Sequence, residues 1–228
     1  RCLQDGTSHR SGDDIGWRKD GTSFPAFYSV EPINESGCIT GAVVVVRDMT
    51  DEEEQTDRLN HLARHDSLTG LVNRREFEDR LERILHSAKR DHTEHIMCYL
   101  DLDRFKRIND NNGHLSGDEL LRQVSALFAE HIRKRDTLAR LGGDEFAVLM
   151  EHCDIQEGTR VARKLRDAVA AYRLQWEGNT LGVGVSIGVI SITQGSGALN
   201  EVLEAADAAC YQAKDNGRNA VVVYDPSG

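Results

Sequence analysis

Residues 137–150 read Thr-Leu-Ala-Arg-Leu-Gly-Gly-Asp-Glu-Phe-Ala-Val-Leu-Met. Two apolar strands flank two glycines and two acids, a pattern that predicts a β-hairpin with a tight turn. Because Gly142 and Gly143 carry no side chain, this turn can lie close to a ligand. Asp144 and Glu145 then stand at the rim of a sheet, where carboxylates can hold a hard cation such as Mg²⁺. The same four residues also suit a purely structural turn, so the rest of the chain has to decide.

Helical and strand patterns alternate on both sides of this hairpin. Apolar residues at helical spacing predict four helices: one capped by Asn73, one capped by Ser116, and two near 156–175 and 198–216. Apolar runs predict strands at 96–103, 183–192 and 220–224. This mixture predicts an α+β fold in which helices pack on a central antiparallel sheet.

The first 50 residues have a different character. An Asp20-Gly21 turn joins two predicted strands, and residues 41–47 predict a third strand that is more buried. Three antiparallel strands without helices make a core that is too small to stand alone comfortably. This stretch is therefore expected to be part of a larger unit.

A polar segment from Thr50 to Arg64 contains neither Gly nor Pro, which predicts a helix. Of the a/d-like positions at which a coiled coil needs apolar residues, only Leu59 and Leu62 are apolar. A stable coiled coil is therefore not supported. A helix that passes a signal and a plain solvated spacer are about equally compatible with this pattern.

Composition excludes several classes of protein. The net charge of −10 over 228 residues opposes non-specific binding to nucleic acid, and an anionic ligand would need local cations or a metal ion. No run of 18 apolar residues occurs, so we expect no membrane contact from this chain. Five widely spaced cysteines indicate a reducing cytoplasm. The chain begins at Arg1 without a signal peptide and is expected to be a fragment, whose parent could be membrane-anchored elsewhere.

A second group of acids follows the predicted strand at 96–103. Asp101 points to the face opposite Leu100 and Leu102, because side chains alternate along a strand. This acid and the hairpin acids can share a divalent ion if the two strands are neighbours. The sequence therefore predicts a metal site where these strands end.

The order of motifs along residues 65–226 resembles the GGDEF domain, the catalytic domain of diguanylate cyclases. The matching blocks are His-Asp-Ser-Leu-Thr-Gly-Leu-Val-Asn-Arg at 65–74, Asp-Leu-Asp-Arg-Phe-Lys-Arg-Ile-Asn-Asp at 101–110, Gly-His-Leu-Ser-Gly-Asp at 113–118, Gly-Gly-Asp-Glu-Phe at 142–146, Val-Ser-Ile-Gly-Val at 185–189 and Ala-Lys-Asp-Asn-Gly-Arg-Asn at 213–219. The resemblance implies a nucleotidyl-cyclase-like (ferredoxin-like) sheet with packed helices.

The N-terminal strands resemble the C-terminal half of a PAS sensor domain, which closes with Gly-Ala-Val-Val-Val-Val-Arg-Asp-Met-Thr at 41–50. Three segments are thus expected: a partial PAS-like segment at 1–49, a linker or signalling helix at 50–65, and a GGDEF domain at 66–226. A PAS ligand is caged by the helical first half of such a domain, and we expect that half to lie outside this sequence.

The GGDEF resemblance implies that two GTP molecules condense into cyclic di-GMP and release two pyrophosphates. By similarity, Asp101, Asp144 and the carbonyl of Leu102 hold two Mg²⁺ ions, for which Mn²⁺ is a possible substitute. Glu145 lies beside them as a metal ligand or proton acceptor. The structural alternative for Asp101 is a solvated acid at a strand end. The resemblance also implies a homodimer, because one domain binds one GTP and the product has two equivalent phosphodiester bonds.

The resemblance assigns the guanine base to Asn109 and Asp118. A carboxylate can accept from both N1–H and N2–H of guanine, an edge that adenine lacks. Asp118 would also sit in the first turn of its predicted helix, where an acid complements the helix dipole. His114, in the same motif, is a weaker candidate because a histidine in a polar loop is often merely exposed.

The phosphates are assigned by similarity to two further pairs of residues. Phe105 and Lys106 cover them through the loop backbone and an ammonium group, and Gly142 and Gly143 let the hairpin approach them. Lys214 and Arg218 would hold the terminal phosphates. Their structural alternative is a pair of cations at a helix C-terminus before Gly217.

Arg133 and Asp136 match the Arg-x-x-Asp product-inhibition site of the family, at the expected offset before Gly142. Arginine can stack on guanine and bind phosphate, and aspartate accepts from the guanine edge. The structural alternative is a group of basic residues that ends a helix. The resemblance thus implies that cyclic di-GMP also binds as an inhibitor.

Two functions from different classes stay open. The first is an active diguanylate cyclase, which the intact signature acids favour. The second is a regulatory module that binds GTP or cyclic di-GMP and controls an adjoining EAL phosphodiesterase, which would follow Gly228. A ligand sensor built on the PAS-like strands is a third reading, and it concerns the parent protein.

Overall fold

The computed structural model describes residues 7–35 and 38–225. The chain divides into two units, and the division falls between Ala63 and Arg64. Cys2 and the C-terminal residues 226–228, next to which an EAL neighbour was expected, lie outside the described residues.

The N-terminal unit contains a three-stranded antiparallel sheet in the order β1-β2-β3. The strands are β1 (His9–Trp17), β2 (Ser23–Glu35) and β3 (Cys38–Asp48). The predicted Asp20-Gly21 turn joins the first two: Asp20 Oδ1 accepts from the backbone N–H of Thr22 at 2.9 Å, and Gly21 has a φ of +87°. The predicted helix α1 runs over Thr50–Arg64.

The expectation of a more buried third strand is wrong. The side chains of Val43, Val44, Val45 and Val46 are 50–59% exposed, on both faces of β3. Among the described residues of this unit, Ala26 is the one buried apolar side chain. An apolar run predicts a strand, but burial also needs a second layer to cover it, and the sequence pattern carries no information on that layer.

A six-stranded sheet forms the centre of the second unit, in the order β11-β10-β5-β7-β6-β4. Its strands are β4 (Val72–Asn73), β5 (His95–Asp103), β6 (Thr137–Gly142), β7 (Glu145–Met150), β10 (Gly184–Ile192) and β11 (Val221–Val223). The four central strands are antiparallel as predicted, whereas the two edge strands pair in parallel. The α+β fold is confirmed, with a mixed sheet.

Helices cover both faces of this sheet. They are α2 (Arg74–Asp91), α3 (Phe105–Asn112), α4 (His114–His131), α5 (Ile155–Ala171) and α6 (Leu199–Asp215). Strand β5 shows how the layers form, because its side chains alternate between faces. Leu100 packs in the cluster that includes α4 and α5, and Tyr99 packs in the cluster that includes α2 and α6.

Two details of the predicted helices differ from the structure, and one is confirmed. The helix predicted near 156–175 ends at Ala171, and a short hairpin of β8 (Leu174–Trp176) and β9 (Asn179–Leu181) follows. The cap at Asn73 is confirmed, since its side chain accepts from the N–H of Glu76 at 3.0 Å. The cap at Ser116 is wrong: α4 begins at His114, directly after Gly113 with its φ of +81°.

Because α4 begins early, Ser116 lies inside the helix, and its Oγ donates to the carbonyl of Gly113 at 2.7 Å. Asp118 consequently lies in the second turn of α4, and the first turn holds no acid. The helix-dipole alternative for Asp118 therefore loses its main support, since this interaction is strongest in the first turn.

Helix α6 lies unusually close to the sheet at Gly188. A Cβ placed on this residue would stand 2.3 Å from the carbonyl oxygen of Ala206 and 2.5 Å from the nitrogen of Cys210. The helix backbone thus rests directly on the strand backbone of β10. Among the described helices, none is long and apolar enough to cross a membrane.

Candidate active site

The acids of the two clusters meet at one edge of the sheet. Strands β5 and β7 are neighbours, and their register pairs Asp101 with Glu145. The backbone N–H of Leu102 donates to the carbonyl of Asp144 at 3.1 Å. The condition on which the predicted metal site depended, that the two strands are adjacent, is therefore met.

The hairpin turn needs glycine at both positions. Gly142 has a φ of +149° and Gly143 a φ of +51°, values that side chains disfavour. No atom lies within 4 Å of where a Cβ would stand on either glycine, so the turn faces open space. This space is available to a ligand that approaches the backbone.

A cavity of about 230 Å³ brings half of the predicted site residues together. Asp101 and Lys214 form an ion pair across it, with 2.7 Å between Oδ2 and Nζ. The residues that line it include Asp101, Leu102, Asp103, Arg104, Phe105, Lys106, Asp144, Lys214 and Arg218. Two predicted metal-binding acids and four predicted phosphate contacts, from three separate motifs, thus face one space.

The charged side chains in this cavity shift one another's pKa values. Burial raises the pKa of Asp101, the charges of Asp144 and Glu145 act in the same direction, and the Lys214 ammonium opposes them. Burial lowers the pKa of Lys214, but the ion pair with Asp101 outweighs it, so the pKa of Lys214 is raised. The carboxylates lie close enough to repel one another, and a cation stabilises them in their charged form.

The donor set fits a hard divalent ion. Asp101, Asp144 and the Leu102 carbonyl offer oxygen ligands, the type that Mg²⁺ prefers. The described residues contain no group of three or more His, Cys, Asp or Glu that could hold a metal. Phosphate oxygens of a nucleotide would complete such a site, as is usual for Mg²⁺.

The predicted base-binding pair lies on two packed helices. Asn109 is on α3 and Asp118 on α4, and the Oδ1 atom of Asn109 is buried without a hydrogen-bond partner among the described residues. The space for Asn109 comes from Gly117, where a Cβ would stand 1.9 Å from that oxygen. A buried acceptor without a donor fits a ligand that supplies one.

Two arginines that the sequence analysis missed fix the hairpin. Arg140 donates to the carbonyl of Gly143 at 2.8 and 3.0 Å, and also contacts both carboxylate oxygens of Asp66 at 3.0 and 3.1 Å. Arg74 donates to the carbonyl of Leu141 at 3.0 Å and to Glu145 at 3.1 Å. The sequence pattern could have indicated a role for Arg140, because it is a charged residue inside an otherwise apolar strand.

Asp66 is in turn held by its own loop. The backbone N–H and the hydroxyl of Thr69 donate to its Oδ1 at 2.9 and 2.7 Å. Burial on its own would raise the pKa of Asp66, but the hydrogen bonds from Thr69 and Arg140 outweigh it and hold the pKa below its ordinary value. The ion pair between Asp66 and Arg140 thus connects the start of this unit to the glycine turn.

Arg133 and Asp136 lie away from this cavity, at the start of β6. Asp136 Oδ2 accepts from the backbone N–H of Arg133 at 3.1 Å, whereas its Oδ1 is buried without a partner among the described residues. Burial raises the pKa of Asp136. The guanidinium of Arg133 forms an ion pair with Glu157 of α5 at 3.1 Å, a contact that the sequence analysis did not foresee. Helix α4 ends at His131, before this turn.

Comparison with known proteins agrees with this geometry. The family model described as "Diguanylate cyclase, GGDEF domain" matches residues 63–220, and the chain belongs to this family. A crystal structure of the coiled coil and GGDEF domain of DgcB from Caulobacter crescentus in complex with c-di-GMP superimposes with a TM-score of 0.71 at 30% identity, over 76% of this chain and 92% of that one.

Two curated relatives carry different printed names. "Probable diguanylate cyclase DgcE" of Escherichia coli (strain K12) is 39% identical over 209 residues, 91% of this chain and 19% of that protein. "Cyclic di-GMP phosphodiesterase PdeB" of Shewanella oneidensis is 37% identical over 196 residues, 85% of this chain and 22% of that protein. The chain thus spans about a fifth of the length of these relatives.

Proposed function

We propose that this chain is a diguanylate cyclase, which condenses two GTP molecules into cyclic di-GMP with release of two pyrophosphates. The observation that carries the proposal is the shared cavity, where Asp101, Asp144 and Lys214 from three separate motifs meet. In each step a ribose 3′-oxygen bonds to the α-phosphorus of the other GTP while the bond to the pyrophosphate breaks. Positioning and charge stabilisation supply most of the catalysis in such transfers.

Asp101, Asp144 and the Leu102 carbonyl would hold Mg²⁺, or Mn²⁺ in its place, in a site of two ions. When bound, the metal neutralises charge on the leaving pyrophosphate. Glu145, whose carboxylate Arg74 already holds at 3.1 Å, either accepts the proton of the attacking hydroxyl or adds a ligand.

The remaining residues bind and orient GTP. Asn109 presents a buried acceptor that guanine can satisfy, and Asp118 on the adjacent helix accepts from the same base edge. The terminal phosphates are assigned to Lys214 and Arg218, which line the cavity together with Asp144 of the hairpin.

Phe105, Lys106 and the two hairpin glycines complete the phosphate contacts. Phe105 contributes through its backbone at the start of α3, and the side chain of Lys106 adds a positive charge. Gly142 and Gly143 leave open space above the turn, which supports a close approach of the triphosphate.

Catalysis would occur in a homodimer, because each domain supplies one GTP and the two must face each other. Cyclic di-GMP would also inhibit by binding Arg133 and Asp136. Arg133 is the exposed partner of its ion pair with Glu157, so solvent weakens this contact and a product phosphate can replace it.

The domain organisation is proposed as predicted from sequence: a PAS-like segment at 1–49, a connecting helix at 50–65 and the catalytic domain at 66–226. A cytoplasmic location suits a domain that uses GTP.

Incubation of the purified chain with GTP and Mg²⁺, with analysis by chromatography, tests the cyclase proposal. We expect cyclic di-GMP and two equivalents of pyrophosphate at high protein concentration, where dimers form. No product from the intact chain, with an Asp144→Ala variant equally silent, would reject catalysis.

A second function is favoured by one observation. The relative named as a cyclic di-GMP phosphodiesterase is 37% identical to this chain, so a similar domain occurs in a protein with the opposite activity. In that case the chain would bind GTP or cyclic di-GMP and regulate an adjoining EAL domain. Tight GTP binding without turnover would support this regulatory module.

A further inference from the structure

A second and larger cavity, of about 690 Å³, lies beside the proposed substrate cavity. Arg107 and Asn111 of α3 line it, whereas Asn109 does not. Residues two apart on a helix point roughly 200° away from each other, so the new cavity and the base-binding side chain lie on different sides of α3. The hairpin β8–β9 forms another wall, through Thr180 and Leu181.

The lining of this cavity is strongly positive. Four arginines contribute to it: Arg104, Arg107, Arg173 and Arg218. Asp103 is the one acid among the described lining residues, and both of its oxygens are occupied, by the hydroxyl of Ser186 at 2.7 Å and by the N–H of Asn219 at 2.8 Å. The lining thus concentrates positive charge in a chain whose net charge is −10.

Three of these guanidinium groups lack partners. In the part of the chain that the structure describes, the side chains of Arg104, Arg107 and Arg218 make no ion pair or hydrogen bond. Arg173 donates only to backbone carbonyls, those of Ala170 and Tyr172 at 2.7 Å. By contrast, the arginines that hold the hairpin, Arg74 and Arg140, are paired with carboxylates. Positive groups that are held close together without a carboxylate partner favour the binding of an anion.

The remaining groups of the lining also suit a small anion. Gly182, Gly184 and Gly217 leave part of the wall without side chains, and Thr180 and Asn111 offer neutral hydrogen-bonding groups. Guanidinium groups bind phosphate oxygens in a bidentate manner, which makes arginine a strong phosphate ligand. A long nucleic acid would meet the negative field of the rest of the chain, whereas a small anion would not.

We propose that this cavity is a metal-independent binding site for a linear polyphosphate anion of the size of inorganic pyrophosphate. Arg104 and Arg218 line both this cavity and the substrate cavity, so the two sites share a wall. If the chain is a cyclase, as proposed above, the released pyrophosphate can pass along that wall instead of remaining beside the carboxylates. The binding site itself does not depend on turnover.

Calorimetric titration of the whole chain with pyrophosphate tests the site, in EDTA and at low ionic strength, where screening is small. We expect one bound pyrophosphate per chain. Arg107→Ala should weaken this binding at least tenfold, because a lost charge-assisted contact is worth about 1.4 kcal/mol or more. Arg75→Ala, which removes an exposed arginine of α2 outside the cavity, should leave it unchanged.

Two further variants separate this site from the substrate cavity. Arg107→Glu should abolish binding, and Lys214→Ala, which changes only the substrate cavity, should alter it less than threefold. Absence of pyrophosphate binding without metal, or a loss in Lys214→Ala with none in Arg107→Ala, would overturn the proposal. Failure of the cyclase proposal would instead appear as an absence of cyclic di-GMP in the Mg²⁺ assay, with pyrophosphate binding intact.

Discussion

The two ends of strand β6 carry two kinds of site. At the hairpin end, Arg140 is largely buried and bonds both a backbone carbonyl and a carboxylate. At the other end, about 20 Å away for six strand residues, Arg133 is exposed and paired with Glu157 across to α5. The hairpin end is thus fixed before any ligand binds, whereas the Arg133 end holds its arginine by a contact that solvent weakens. A catalytic role fits the first arrangement, and an exchangeable regulatory role fits the second.

The largest effect is expected at the hairpin end. Asp144→Asn keeps the size of the side chain but removes a negative charge from the cavity shared with Asp101. We expect cyclic di-GMP formation to fall by about 10²–10³-fold, the loss typical of one preorganised electrostatic contact. Chromatographic assay of product against time measures it.

A matched control removes an acid that the cavity does not use. Glu204→Gln on the exposed side of α6 should retain the activity of the unaltered chain. Equal losses in both variants would mean that general charge, and not the hairpin acid, governs the rate.

The next largest effect concerns the support of the turn. Arg140→Ala removes two hydrogen bonds to Gly143 and leaves Asp66 part-buried without its cation. We expect the free energy of unfolding of the unit that begins at Arg64 to fall by about 2–3 kcal/mol. Thermal unfolding should show this as a Tm lowered by roughly 4–10 °C.

A double-mutant cycle sharpens this prediction. If Arg140 acts through Asp66, the combined Arg140→Ala and Asp66→Asn variant should lose less stability than the sum of the two single changes. Strict additivity would show that the hydrogen bonds to the Gly143 carbonyl account for the whole effect.

A smaller change is expected at the opposite end of β6. Arg133→Ala should weaken cyclic di-GMP binding about tenfold or more, because one phosphate or guanine contact is lost. GTP turnover should be spared, since Arg133 does not line the substrate cavity. Calorimetry with the product and initial rates with GTP measure the two quantities separately, and an unchanged product affinity would contradict the assignment.

Glu157→Gln provides the reciprocal variant, because it frees the Arg133 guanidinium from its ion pair. Product affinity should then rise by up to about fivefold, the equivalent of an exposed ion pair of up to about 1 kcal/mol. A fall in affinity would mean that Glu157 orients Arg133 for the product.

The smallest effects are expected in the pH dependence of stability, with opposite signs for two aspartates. The folded pKa of Asp66 is lowered, so its contribution is present above the unfolded value of about 3.9 and is lost as the pH falls through the folded pKa. The folded pKa of Asp136 is raised by burial, so its charged form destabilises the fold at neutral pH, and this cost vanishes in acid.

Melting temperatures between pH 7 and pH 3 therefore separate the two ends of β6. Asp66→Asn should lower Tm at pH 7 and lose less on acidification than the unaltered chain. Asp136→Asn should have an equal or higher Tm at pH 7, and this difference should close in acid. The same pH response in both variants would show that the two carboxylates experience similar environments.

Local patterns predicted a large part of this fold. The hairpin at 137–150, the cap at Asn73 and the antiparallel centre of the sheet are confirmed, because each depends on neighbouring residues or on strand alternation. The early start of α4 was missed because it follows from the backbone of Gly113, whose positive φ ends one helix and begins the next. The exposure of β3 was missed because the sequence of a strand does not show whether another layer of the fold covers it.

The site was predictable to a similar degree. The meeting of Asp101 with the hairpin acids followed from motif and strand position. The bond between Arg140 and Asp66 joins residues 74 positions apart, and a single sequence gives no measure of such distances. The ion pair of Arg133 with Glu157 was hidden for the same reason.

The absence of a side chain at Gly188 has a consequence one helical turn further along α6. Because the helix rests directly on the backbone of β10, the height of that helix above the sheet is fixed. Lys214, four residues after Cys210 on the same helix, meets Asp101 at 2.7 Å with the helix at that height. Gly188 contacts no predicted ligand, yet it helps to set the distance between the Lys214 ammonium and the Asp101 carboxylate.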